Sequence, residues 1–289
     1  MEMYKQISHN KWLSTFLIFI VFGILVGLGF ILSFVFNDPS VLIIIVFFSV
    51  IYVFISYRFS KNIVLASTGA KKADPIKDAY LVNTVEGLAL AAGIPKPEVY
   101  IIEDQNPNAF ATGKDPKSSA IAVTRGLLNI MNREELEGVI SHELAHIKNY
   151  DIRFMTLTAV LVGLIAIIAQ FSTRMLIFGG SGDRKGGHPI VLIIGILFMI
   201  LAPIFATLVQ LAISRKREYL ADATGAQLSR YPDGLANALE KLKKHDTKIK
   251  TASSATAPLF IAEPIKKGFA NLISTHPPLD DRIKKLRNM

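Results

Sequence analysis

The chain has 289 residues, of which 51% are hydrophobic and only 19% charged, and its mean hydropathy is +0.40. Soluble domains of this length rarely carry such an apolar excess, so the composition argues against an ordinary soluble protein. The formal net charge is +9, but no nucleic-acid-binding motif accompanies it, and we expect no nucleic-acid partner. Cysteine is absent, which excludes a disulfide framework and a thiol nucleophile.

Four runs of the sequence contain no charged residue, and each is about long enough for a helix to cross roughly 30 Å of hydrocarbon. They cover residues 12–37, 39–57, 154–173 and 189–214. We interpret all four as transmembrane helices in a lipid bilayer. The alternative is a set of buried core helices. It is stronger for the last two runs, which contain polar residues such as Gln170 and Gln210 and could pack partly on a soluble domain.

The first two runs are interpreted as an uncleaved helical hairpin. The first run is too long for the apolar core of a signal peptide, and no small-residue cleavage pattern is obvious. Between the runs, Asp38 can cap the second helix and Pro39 suits its first turn. Lys and Arg flank the runs on the side of the termini and the polar segments, although the loop after the third run also carries three. The positive-inside rule then places both termini and the polar segments in the cytoplasm of a multi-pass cell-membrane protein.

The expected domain organisation follows from these runs. Residues 1–57 form an N-terminal transmembrane hairpin, and residues 154–213 form a second hairpin. The polar segments 58–153 and 214–289 together make one cytoplasmic domain of ordinary size.

The polar segments predict a mostly helical α+β domain with a small sheet. Asp74 and Pro75 mark the start of a helix that Gly93 ends. Asn132 begins a second helix with Glu135 three residues later, a capping-box pattern. Three strand candidates lie between these helices, namely EVYIIED, NPNAFATG and SAIAVT. After the last apolar run come two helices, SRKREYLADATGAQLSR and DGLANALEKLKKHD, then a loop through residues 246–270 and a short final helix.

The helix that Asn132 begins carries the strongest chemical signal, His142-Glu143-Leu-Ala-His146. Positions i and i+4 of a helix share a face, so the two imidazoles can bind one ion at about 2.0–2.1 Å each. Glu143 is poorly placed as a third ligand but can reach a water on that ion. The pattern therefore predicts two zinc ligands and a general base. The alternative is a surface helix that carries two histidines by chance.

A zinc site needs a third protein ligand, and the segment SRKREYLAD offers one. Glu218 and Asp222 are four residues apart and so share a helix face. With Glu218 as ligand, Asp222 is free to orient a ligating histidine. Spacing alone leaves two alternatives open, a solvated charged face or a ladder of salt bridges along the helix with Arg215 and Lys216.

Four segments together resemble the HtpX-type membrane zinc metalloproteases, relatives of the CAAX-prenyl endoproteases. They are ISHELAHIKNYD, SRKREYLAD, NPNAFATG and STHPPLDDRI, and the resemblance covers nearly the whole chain, including the order of the four apolar runs. It implies a zincin-like fold with one Zn²⁺ per chain on His142, His146 and Glu218, and Glu143 as catalytic base. It also implies that Asp222 supports the metal site and that His276 and Arg282 lie near it.

Two assignments around the site are weaker. His276 and Arg282 could donate to the oxyanion of a tetrahedral intermediate, or they could be a turn residue and a surface helix residue. The strand NPNAFATG could be a sheet edge that binds the substrate backbone through Asn108, Ala109 and Phe110, with Asn108 and Ala109 exposed. The alternative is an ordinary core strand with Phe110 buried.

We therefore expect an endopeptidase that cleaves misfolded or damaged membrane proteins at the cytoplasmic face. His146 lies eight residues before the third run and Glu218 four after the fourth, so the metal site should lie close to the membrane. Three alternatives stay open. The protein could process lipid-modified proteins, or its zinc could be structural only. A transporter or sensor is the third, but it would call for charged residues inside the runs, and there are none.

Overall fold

The computed structural model describes residues 2–161, 215–245, 249–253, 256–262 and 277–289. In these ranges the chain is mostly helical with one small mixed sheet. The predicted membrane run 189–214, residues 162–173 of the third run, and His276 lie outside the described residues. So does most of the predicted loop 246–270.

Two long helices begin the chain, α1 (Glu2–Phe36) and α2 (Pro39–Ser67). The predicted cap is confirmed: the Asp38 carboxylate accepts from the Ser40 backbone N–H at 2.9 Å, and Pro39 is the first residue of α2. Both helices are long and apolar enough to cross a membrane, and only 18% and 11% of their most apolar windows are buried. Both helices carry large exposed apolar side chains on their surfaces, such as Phe34, which is 83% exposed. An apolar surface of this extent is typical of a helix pair that contacts lipid or another apolar partner.

The sheet has four strands in the order β1-β2-β4-β3. They are β1 (Lys71–Lys72), β2 (Glu98–Ile102), β3 (Ala109–Thr112) and β4 (Ala120–Thr124). β2 and β4 are parallel, and the two outer pairs are antiparallel. Every residue of β3 and β4 is buried, as expected for strands covered on both faces. The three predicted strands are all present. β1 escaped prediction because two lysines carry no strand pattern.

The remaining described helices surround this sheet. The helix predicted from Asp74 begins only at Ala79, because the Asp74 carboxylate accepts from the backbone N–H groups of Ile76 and Lys77 and forms a turn instead. It ends as predicted at Gly93, whose φ of 67° is left-handed. In chain order the helices are α3 (Ala79–Ala92), α4 (Arg125–Ile130), α5 (Arg133–Lys148), α6 (residues 151–161), α7 (Arg215–Ser229), α8 (Pro232–Lys244) and α9 (Leu279–Arg287).

Helix α5 lies at the centre of the domain. The capping box is present, since Asn132 accepts from the Glu135 N–H at 2.9 Å and the Glu135 carboxylate accepts from the Asn132 N–H at 2.8 Å. Its apolar residues are at most 1% exposed and form one cluster with β2–β4, α3 and α8; they are Leu136, Val139, Ile140, Leu144 and Ile147. A capped helix fixed on several sides gives its polar side chains defined positions.

Helix α6 contains the first residues of the third apolar run, and it packs on protein. Phe154, Leu157 and Leu161 are buried against Leu17 and Val21 of α1. The N-terminal helix pair and the domain therefore share a hydrophobic contact at this point.

The crossing of α5 and α8 depends on Gly138. A Cβ there would lie 2.5 Å from the backbone N of Leu235 and 2.8 Å from its Cα. We expect Gly138→Ala to destabilise the protein by about 1–3 kcal/mol, since backbone atoms of two helices would have to separate. Thermal unfolding in detergent measures this.

Gly87 of α3 provides the matched control. No atom lies within 4 Å of a Cβ added there, so Gly87→Ala should raise stability by about 0.4–1 kcal/mol. A Gly138→Ala protein that melts at or above the wild-type temperature would contradict the proposed close approach.

Candidate active site

Helix α5 presents two histidines to one point inside the domain. The Nε2 atoms of His142 and His146 are 3.1 Å apart, and the two rings are 1% and 4% exposed. The i, i+4 spacing places both on the face that turns toward α7. Because their Nε2 atoms are already this close, neither ring needs to move far to bind a shared ion.

Helix α7 supplies the third donor. Glu218 is 3% exposed, and its carboxylate oxygens lie 3.7 Å from His142 Nε2 and 3.6 Å from His146 Nε2. The close approach of the two helices uses Gly225, where a Cβ would meet the His142 backbone N at 3.0 Å. The predicted ligands therefore converge, although residues of two helices far apart in the chain supply them.

The donor set fits a metal ion. Among the described residues, His142, His146 and Glu218 are the one group of three or more His, Cys, Asp or Glu side chains whose ligand atoms all lie within 4.8 Å of one another. Neighbouring ligands on a tetrahedral ion with bonds of about 2.0–2.1 Å are about 3.3 Å apart. The observed separations of 3.1, 3.6 and 3.7 Å are close to that value. Two nitrogens and one oxygen are also a donor set typical of catalytic zinc.

Asp222 and Arg282 lie behind His142. Asp222 Oδ1 is 3.0 Å from His142 Nδ1, an arrangement that fits an Nδ1–H donor and leaves Nε2 for a metal. Arg282, at the start of α9, donates to both Asp222 oxygens at 2.7 and 2.9 Å and has no exposed area. Its Nη1 lies 3.5 Å from Glu218 Oε2. The structure therefore brings Arg282 to the site, where its closest contact is the bidentate pair with Asp222.

Asp151 lies behind His146 and is a residue that the sequence analysis missed. Its Oδ2 is 3.0 Å from His146 Nδ1, and it is fully buried at the start of α6. Tyr150, with φ 60°, turns the chain between α5 and α6 and so directs Asp151 back toward the histidine. A sequence signal existed: a carboxylate between a metal-binding helix and an apolar run is expected to be buried and therefore paired.

The pKa values of the buried glutamate and the two histidines are shifted in different directions by their surroundings. Burial raises the pKa of Glu143 to about 7, although the charges of His146 and Arg282 and a hydrogen bond from the Ala111 N–H oppose the shift. Burial and the Arg282 charge lower the pKa of His142. For His146, burial is outweighed by the Asp151 hydrogen bond and the Glu218 charge, which raise its pKa to about 9. Glu143 thus has a pKa suited to general base chemistry near neutral pH.

The predicted exposure of Asn108 and Ala109 is wrong. Asn108, Ala109 and Phe110 have no exposed area, because residues 260–262 of the same chain cover this edge of β3. The Ile261 N–H donates to the Ala109 carbonyl at 2.9 Å. The Asn108 amide both donates to and accepts from the Ala262 backbone, at 2.9 and 3.2 Å.

The covering segment also reaches the metal site, since the Ile261 carbonyl accepts from Arg282 Nη1 at 3.4 Å. Phe260 packs edge-on against Phe110 with ring centroids 5.0 Å apart. Substrate binding by Asn108, Ala109 and Phe110 stays a prediction. Strand addition at this edge would require the buried residues 260–262 to leave it.

Comparison with known proteins agrees with this geometry. The model of peptidase family M48 matches residues 75–289. A protease HtpX homolog of Dictyoglomus thermophilum is 45% identical over 287 residues, which is 99% of this chain and 94% of that protein. Protease HtpX homologs of Caldanaerobacter subterraneus and Listeria monocytogenes are 47% and 42% identical, over 96% and 99% of this chain and 94% and 100% of their own lengths.

A solved structure shares the fold. The crystal structure of S. mikatae Ste24p matches with a TM-score of 0.53 and 21% identity, and the match covers 98% of this chain and 67% of that one. The paired histidines, the carboxylate from α7 and the match along nearly the whole length lead to one assignment: this chain is a member of peptidase family M48.

Proposed function

We propose that the protein is a zinc endopeptidase of the membrane that hydrolyses peptide bonds of misfolded or damaged membrane proteins at the cytoplasmic face. One observation carries the proposal. Three buried donors from two helices converge, with His142 Nε2 and His146 Nε2 3.1 Å apart, beside the buried carboxylic acid Glu143. Family membership supports a metal-dependent peptidase. Zinc, the substrates and the orientation are our proposals.

The proposed ligands of one zinc ion per chain are His142, His146 and Glu218. When bound, the ion supplies a Lewis acid that polarises a carbonyl oxygen and makes a water molecule more acidic. Asp222 and Asp151 hold the two imidazoles with their Nε2 lone pairs toward the ion, because each accepts at the opposite ring nitrogen.

Glu143 is the proposed proton carrier. It takes a proton from the attacking water at its carboxylate and passes it to the leaving amine. In the metal-free chain, burial raises the pKa of Glu143 to about 7, which makes its carboxylate a stronger base than an exposed one. Arg282, which lies 3.5 Å from Glu218 and 3.4 Å from the ring of His142, adds positive charge on one side of the site. His276 is proposed near the site on the family resemblance alone.

The membrane arrangement is part of the proposal. Residues 1–57 and 154–213 form two transmembrane hairpins, and residues 58–153 and 214–289 form one cytoplasmic peptidase domain. The exposed apolar surfaces of α1 and α2 support the first hairpin. His146 and Glu218 precede and follow the second hairpin closely in sequence, so the site lies near the bilayer, where extracted membrane segments would meet it.

The role of Glu143 can be tested by removing its charge alone. Glu143→Gln should keep a full complement of zinc, because Glu143 is not among the three converging donors. Cleavage of casein or of a membrane-protein substrate should fall by about a hundred- to ten-thousandfold. Metal analysis and initial-rate assays on the purified full chain measure both quantities.

Glu134→Gln is the matched control, since Glu134 is exposed on the same helix and should leave zinc and turnover unchanged. Undiminished cleavage by Glu143→Gln would disprove the proposed chemistry and favour a structural metal.

The pH dependence of zinc uptake tests the role of Asp151. Zinc binds neutral imidazole, and the His146 pKa is raised to about 9, so below that pH a proton must leave before zinc binds. The apparent zinc affinity should therefore fall as the pH falls from 9 to 6, by up to about tenfold per pH unit for one proton. In Asp151→Asn the His146 pKa loses its main raising contact, so the decline should begin at lower pH. Chelator competition at several pH values measures this, and an affinity independent of pH would contradict it.

The proposed topology is open to cysteine labelling, because the chain contains no cysteine. Asn37→Cys between α1 and α2, and Ser181→Cys in the second predicted outer loop, should react with an impermeant maleimide in intact cells. Lys117→Cys in the exposed turn before β4 should react only after the membrane is opened. Labelling of Lys117→Cys in intact cells would reverse the orientation. Protection of Ser181→Cys alone would show that residues 154–213 do not cross the bilayer.

A further inference from the structure

Asn10 occupies an unusual position on the first hydrophobic helix. It has no exposed area, whereas its neighbours His9 and Lys11 are exposed. The next turn of the buried face continues with Ser14, whose hydroxyl donates to the Asn10 carbonyl at 2.7 Å, and then with Leu17. A buried amide on a mostly apolar helix needs hydrogen-bond partners, and the identity of these partners indicates the role of the side chain.

The Asn10 side chain reaches the junction of α5 and α6. Its Nδ2 donates to Asp151 Oδ1 at 2.6 Å and to the Asn149 backbone carbonyl at 3.0 Å. The other Asp151 oxygen, Oδ2, is the one that faces His146 Nδ1 at 3.0 Å. One buried carboxylate therefore connects a hydrophobic helix to a residue of the metal site.

Packing fixes the position of α1 relative to this junction. Leu17 and Val21 contact Phe154 and Leu157 of α6 in a buried cluster. Lys11 Nζ lies 4.2 Å from the centre of the Tyr150 ring, on the turn that precedes Asp151. Hydrophobic contact and a cation–π contact thus hold Asn10 opposite Asp151.

We propose that Asn10 is a positioning residue for the metal site and acts on His146 through Asp151. The inference rests on the proposed ligand role of His146. An oriented carboxylate fixes the ring and tautomer of a ligating histidine, and groups that orient the carboxylate extend this effect outward. The amide donates to one oxygen of Asp151 and leaves the other oxygen directed at the His146 ring.

The proposal gives the N-terminal hydrophobic helix a second role. Besides its place in the proposed membrane hairpin, α1 completes the support of a metal ligand 136 positions away, counted from Asn10 to His146. Zinc affinity should then depend on the docking of α1, and not only on the polar domain.

The test compares zinc affinity of full-length variants in detergent by chelator competition at constant pH. Asn10→Ala should weaken zinc binding by about three- to tenfold, less than the ~10–100-fold typical for loss of a direct partner of a ligand. Asn10→Asp should weaken it more, because it places a second carboxylate against Asp151. Asn62→Ala, the same substitution at an exposed position of α2, is the control and should match the wild type.

Two further measurements separate positioning from general destabilisation. The visible spectrum of the Co²⁺-substituted protein reports ligand geometry and should change in Asn10→Ala but not in Asn62→Ala. In a double-mutant cycle, Asn10→Ala should lower the zinc affinity little further once Asp151→Asn is present, because Asn10 acts on His146 through Asp151. If Asn10→Ala lowers the melting temperature of the metal-free chain below the assay temperature, Asn10→Ser, which keeps a short donor, takes its place in the cycle.

The outcomes are distinct. Wild-type zinc affinity and an unchanged Co²⁺ spectrum in Asn10→Ala would overturn the inference and leave the proposed peptidase intact. An equal loss with and without Asp151→Asn would overturn the path through Asp151. A wild-type chain that binds no zinc would overturn the metal site itself and this inference with it.

Discussion

The site depends on charge that is buried and must be compensated. An uncompensated charge in a protein interior costs several kcal/mol, so each buried carboxylate needs partners. Asp222 has Arg282 and His142. Asp151 has Asn10 and His146, and the charge of the buried Arg217 also acts on it. Glu218 faces His142, His146 and Arg282 at 3.7, 3.6 and 3.5 Å. A divalent cation bound by Glu218 and the two histidines would add positive charge at this point.

This constraint also explains the asymmetry of the two histidines. Burial disfavours the charged form of His142, and the nearby Arg282 charge lowers its pKa further. Burial also disfavours the charged form of His146, but the Asp151 hydrogen bond and the charges of Glu218 and Asp151 outweigh it and raise the pKa to about 9. Two buried histidines of one helix thus differ because different charges surround them.

Local patterns predicted the parts of the structure that local physics decides. The capping box of α5, the Asp38 cap, the glycine at the end of α3 and the His142–His146 pair all depend on residues within a few positions of one another. The predicted start of α3 was wrong because of another local interaction. The Asp74 carboxylate accepts from backbone N–H groups two and three residues later, and this turn competes with the helix. The spacing of Glu218 and Asp222 on one helix face suggested Glu218 as the third ligand, but a solvated charged face stayed possible until the family resemblance was considered.

Contacts between distant segments were beyond sequence reasoning. Residues 260–262 carry no strand periodicity, yet they pair with β3 because Asn108 holds Ala262 across 154 positions of chain. Asn10 carries no signal in the sequence, and its hydrogen bond to Asp151, 141 positions away, exists only once α1 docks on α6. Burial of these polar groups is decided by packing, which no single segment encodes.

The composition of an apolar run does not show whether the run faces lipid or packs on protein. Runs of similar apolarity have different environments here: α1 and α2 expose most of their surface, whereas residues 154–161 are almost wholly buried. The buried stretch directly follows Asp151, so the apolar contact between α1 and α6 and the support of His146 occur at one place. If Asn10 positions His146 as proposed, then docking of α1 adds support to a proposed metal ligand. A peptidase assembled in this way would reach its full metal affinity only once its N-terminal helix is in place.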